Sequence, residues 1–187
     1  LSRLENEADV SQNKTYAQSN LMKLYYNKKD YPNSGIYAEK VLMNPKADDN
    51  VKSDAQIIIA RAAIETGDEA KAKVAYAKVL AIAKGELAAE ALYYDAYFKN
   101  KEGKFEASNA AVQKIAKNYS SYKYFGAKGL ILMAKNFYGL KDSYQATYIL
   151  ENVIQNFTDY PDVVSEAKTE LNAIKTEEAK TNSSITK

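Results

Sequence analysis

Apolar and small residues recur along this chain with the spacing of one helix face. Leu130, Met133, Ala134, Phe137 and Tyr138 fall at i, i+3, i+4, i+7 and i+8, and after a polar turn at Lys141–Ser143 the pattern returns as Ala146, Ile149, Leu150, Val153 and Ile154. A turn that short makes the two predicted helices antiparallel, a helical hairpin. The second half of the pattern occurs three more times upstream: at Ser34, Tyr37, Ala38, Val41 and Leu42; at Ala72, Ala75, Tyr76, Val79 and Leu80; and at Ser108, Ala111, Val112, Ile115 and Ala116. From Ser34 to Ala72 to Ser108 to Ala146 the steps are 38, 36 and 38 residues, within the range of helical-hairpin repeats. The chain reads as an all-α repeat array, which buries its apolar surface between neighbouring hairpins instead of in a central ball.

The punctuation agrees with that reading. Residues 1–10 form a polar lead-in, followed by hairpins at about 11–44, 51–83, 86–118 and 121–157. Their turns are expected at Lys29–Pro32, Thr66–Asp68, Glu102–Lys104 and Lys141–Ser143; Pro32 suits a first helical turn, and Pro45 stops the helix before it. Hairpin three has the weakest register. Asp95 and Lys99 stand there at apolar places, so they are expected to pair across four residues, with Phe98 buried instead. A capping helix is expected within 158–179, with Val164, Ala167, Leu171 and Ile174 on one face and Glu166, Lys168, Glu170, Lys175 and Glu178 elsewhere. Residues 180–187 carry too little apolar surface to offset ordering and are expected to be disordered.

The hairpins resemble tetratricopeptide repeats (TPR), helix-turn-helix units of about 34 residues. The small residue at that motif's eighth place is Ala60, Ala96 and Ala134, with Met22 as the departure; at its twentieth place stand Ser34, Ala72, Ser108 and Ala146. Paired helices cross most closely at these points, where a large side chain would push them apart. The turns Gly67–Asp68 and Gly103–Lys104 also fit, whereas the proline near the motif's end is present only as Pro45. The fold implied is a right-handed superhelix, an α-solenoid of about four TPR-like hairpins with a C-terminal capping helix. The run from Ala127 to Lys168 looks like the C-terminal part of long TPR proteins of Bacteroidetes bacteria. That similarity implies a periplasmic or outer-membrane-associated location, with the cytoplasm left open.

In such superhelices the first helix of each hairpin lines a concave surface. The resemblance puts Lys23, Arg61, Tyr97 and Lys135 at the inward place, with Asn20, Tyr26, Tyr93 and Tyr138 beside them. Three cations next to tyrosines suit a carboxylate or an acidic peptide. Asn20 and Lys23 match only in part the clamp with which some cytosolic members hold a terminal carboxylate. The bland alternative is a solvated helix face.

Composition narrows the function classes. With Lys plus Arg at 26 against 24 Asp plus Glu, the net charge of +2 creates no strong field for nucleic acid or membrane, so no nucleic-acid partner is expected. The 16 tyrosines are better used in packing between hairpins than in stacking bases. There is no His and no Cys, which excludes Ser-His-Asp and Cys-His nucleophiles, His or Cys metal sites and disulfides. No phosphate-loop or nucleophile-elbow motif occurs, and the carboxylate pairs Asp48–Asp49 and Glu177–Glu178 sit in a connector and near the tail. No apolar run approaches 18 residues, so no integral membrane segment is expected in this portion, and a start at Leu1 suggests a mature or excised piece. The expectation is a scaffold, not an enzyme, without cofactors, that binds a protein or peptide on its concave face. The alternative is a structural end domain of a larger array, or a homo-oligomer with no free ligand groove.

Overall fold

The computed structural model describes residues 11–185, with side chains from 13 to 181. The polar lead-in at 1–10 lies outside the described residues. Among them the chain is all-helical: α1 (Ser11–Asn27), α2 (Tyr31–Met43), α3 (Asp49–Glu65), α4 (Glu69–Ile82), α5 (Gly85–Lys101), α6 (Phe105–Asn118), α7 (Lys123–Gly139), α8 (Ser143–Asn156) and α9 (Pro161–Ile185). Consecutive helices pair as hairpins at the expected positions. The chain divides into two compact units, Leu1–Leu87 and Ala88–Lys187.

All four hairpin turns are built alike. Lys29, Gly67, Gly103 and Lys141 have positive φ (60°, 74°, 72° and 68°), and they recur at the same 38, 36 and 38-residue steps as the small residues five places later. In each, the next residue's N–H reaches back five places at 2.9 Å: Asp30 to the Tyr25 carbonyl, Asp68 to Ala63, Lys104 to Lys99 and Asp142 to Phe137. This is a Schellman closure, which satisfies carbonyls that the helix end would leave open. The next helix begins at once. Asp30, Asp68 and Asp142 accept the N–H groups of Asn33, Lys71 and Gln145, while Lys104 in the equivalent place makes no side-chain cap.

The close crossing then fixes each hairpin. Ser34 donates its hydroxyl to the Met22 carbonyl at 2.9 Å, and Ser108 donates to the Ala96 carbonyl at 2.8 Å, both across twelve residues and both fully buried. Ala72 and Ala146 hold that place in the other two hairpins and are likewise buried. Around these points the first unit clusters Met22, Ala38, Val41 and Ile58, and the second clusters Ile131, Leu150, Val153 and Val163. Each Met, Val, Ile or Leu side chain among them contributes about 1.5–3 kcal/mol of burial. Met22, although large, is fully buried and accommodated.

The expectations for hairpin three hold: Lys99 Nζ lies 2.6 Å from Asp95 Oδ2, and Phe98 is buried. Two expectations for the end helix need correction. Its buried face is Val163, Ala167, Leu171 and Ile174, so Val163 and not Val164 is the fully enclosed valine. The helix also runs past Ala179 to Ile185, where a disordered tail was expected; residues 186–187 lie outside the described residues. A helix already nucleated on a packed stretch extends at little further cost.

Candidate functional site

The eight first-helix residues divide between the units. In the first, Lys23 of α1 reaches α3 and pairs with Asp54 at 2.6 Å. Their side chains remain 50% and 40% exposed, so the pair contributes at most about 1 kcal/mol and can exchange its partner. Asn20 turns back on its own helix, donating to the Tyr16 carbonyl at 2.8 Å. Tyr26 packs on the Met22 cluster, edge-on to Tyr31 with 5.7 Å between centroids. Arg61 is half-buried and has an interaction partner of its own.

In the second unit Tyr93 lies between Tyr94 and Phe125, with centroids 5.1 and 6.2 Å away and the Lys128 ammonium 5.8 Å from its ring centre. Burial, followed by the Glu166 carboxylate, pushes its phenol well above the ordinary value. Tyr97 packs against Phe98 and the Ala96–Val112 cluster, and Lys101 stands 5.7 Å from its ring. Tyr138 packs on the Ile131–Leu150 cluster. Lys135 pairs with Glu170 of α9 at 2.7 Å.

The carboxylates that meet these cations are what the sequence reading missed. Asp162, Glu166 and Glu170 recur every four residues on α9, so they share one edge. Along α7 they meet the Tyr124 hydroxyl, which donates to Asp162 at 3.0 Å, then the Lys128 ammonium and then Lys135. Burial and the Asp162 carboxylate raise Tyr124 to about 12. The available signal was opposite polarity one repeat apart for Lys128–Glu166, whose partners are separated by 38 residues; Lys23–Asp54, separated by 31, falls off that step. No protein-family model matches the chain, and no curated protein does.

Behind the edge sits a buried polar knot. Asn136 is fully enclosed on α7. Its Nδ2 donates to Ser108 Oγ at 2.9 Å and to Asn109 Oδ1 at 2.7 Å, and its Oδ1 accepts from Asn100 Nδ2 at 2.7 Å. The knot ties α5, α6 and α7 in one register, because any slip strands a buried amide. Among the described residues no group of His, Cys, Asp and Glu converges to hold a metal ion, and no helix is long and apolar enough to cross a membrane.

Proposed function

We propose that the chain is a TPR-like, non-enzymatic scaffold that binds a protein or peptide along its first helices, in the periplasm or at the outer membrane. The observation that carries this reading is repetition: the turn and the small residue of the close crossing recur at one register in four hairpins, and the side-chain cap in three of them. Lys23, Arg61 and Lys135 are the residues expected to meet carboxylates of the partner, with Lys23 and Lys135 exchanging Asp54 and Glu170 for them.

A second reading has its own support. Lys23 is already paired by the first helix of the next hairpin and Lys135 by the end helix α9, which favours a structural end domain or self-associating module whose cations hold neighbouring elements together. Capture from a membrane and periplasmic extract tests the two, with Lys23→Glu, Arg61→Glu and Lys135→Glu combined as the control and circular dichroism confirming that both forms fold. A protein retained by the native form alone supports the scaffold. Equal retention removes the first-helix surface, and a native oligomer in light scattering that retains nothing supports the second reading.

A further inference from the structure

In the second unit a cleft of about 380 Å³ opens where the ends of α6 and α8 meet the first turn of α7. Val112, Ile115, Leu130 and Phe157 give it apolar walls, and exposed Lys123 stands among its lining residues, none of which is acidic. Gly126, on α7, lines it too. A glycine in a helix is disfavoured relative to alanine, yet a Cβ at Gly126 would meet nothing within 4 Å, so what its bareness leaves is open cleft.

Charge is distributed to match. From Ala107 to Lys141 the chain has lysines and neither Asp nor Glu. Lys128 and Lys135 receive carboxylates from α9. Lys114, Lys117 and Lys123 have no side-chain partner among the described residues. An apolar pocket with an uncompensated cation at its edge complements one kind of group, an apolar side chain with an anion close to it.

We propose that this cleft docks a partner peptide segment in which a large apolar side chain, Phe or Leu, stands beside a carboxylate. The side chain enters between Val112, Ile115, Leu130 and Phe157, and the carboxylate pairs with Lys123. The inference rests on the reading of the chain as a binding scaffold but uses none of the eight first-helix residues.

The test is an NMR titration of the ¹⁵N-labelled full chain with N-acetyl-phenylalaninate, the minimal probe carrying both groups, and with its uncharged amide. Saturable shifts are expected at Val112, Gly126 and Leu130. Binding should weaken roughly fivefold for the amide, and likewise for Lys123→Gln, as for the loss of one solvent-accessible ion pair. Gly126→Leu should abolish it by filling the cleft while leaving the remaining spectrum folded. Shifts scattered over the surface, equal binding of acid and amide, or binding that survives Gly126→Leu would each overturn the proposal. A concentration-dependent dimer that Gly126→Leu dissociates would also overturn it, by making a second copy the occupant. A flat titration alongside successful capture by the first-helix surface would sink the cleft and spare the scaffold.

Discussion

Ser34 and Ser108 hold the same place in two hairpins and make the same bond, so replacing each by Ala is a controlled comparison. Ser34→Ala removes a hydroxyl donated to the Met22 carbonyl, inside a helix where that carbonyl keeps its backbone partner; the expected cost is about 0.5–1 kcal/mol. Ser108→Ala removes an equivalent bond and also takes the acceptor from one N–H of fully buried Asn136. A buried donor left unpaired costs about 1–3 kcal/mol more, so Ser108→Ala is expected to destabilise its unit by about 2–3 kcal/mol. Native-state hydrogen exchange of α2 and α6 amides reads the two units separately. In an Asn136→Leu background the Ser108→Ala cost should fall to the Ser34→Ala level, because the stranded donor is gone. Equal losses for the two serines, or an undiminished Ser108→Ala cost in that background, would refute the reasoning.

Two glycines should respond with opposite signs. Gly139→Ala puts a Cβ 2.6 Å from the Phe105 ring and is expected to cost about 1–2 kcal/mol, whereas Gly126→Ala, in open space, should gain about 0.5–1 kcal/mol, both read by denaturant unfolding. Lys104→Asp supplies the cap that the other three hairpins have and should raise the stability of the second unit by about 1 kcal/mol; no change in the denaturation midpoint would discount the capping argument. Tyr124 should ionise late, near pH 12 against 10.0 for an open chain, so its contribution to stability is complete below pH 10 and is lost as pH rises towards 12. Ultraviolet titration of Tyr124→Phe, with that late component still at full size, would contradict the assignment.

The second helices were legible because each buries one face: Ala38 and Val41, Ala75 and Val79, Val112 and Ile115, Leu150 and Val153 lie where the spacing put them. First helices are packed on more than one side, α7 meeting α6, α8 and α9. Ile131, Leu132 and Asn136 are therefore buried outside the stripe that periodicity picked out, and a buried asparagine among apolar neighbours reads in sequence as a polar face. The same crowding explains the candidate site. Lys23 and Lys135 were found by register, but their carboxylates were not, since a search for one face per helix sets Asp54 and Glu170 aside as solvated charge. With Ala167, Leu171 and Ile174 buried as expected, Val163 in place of Val164 is a choice between adjacent valines, both of which fit the helical spacing to Ala167.

The ion pair from α1 to α3 fastens neighbouring hairpins and that from α7 to α9 fastens the last hairpin to the end helix, whereas the serine and alanine crossings fasten the two helices within one hairpin. In a one-dimensional chain of coupled units, contacts of the first kind, together with the apolar clusters that span the same helices, govern how sharply neighbours melt together, and the second how stable each is alone. Dissolved salt weakens half-exposed ion pairs and leaves buried crossings untouched. Ionic strength therefore acts on the cooperativity of this array separately from the strength of its parts: as salt rises, melting broadens while the temperature at which an individual hairpin gives way moves little.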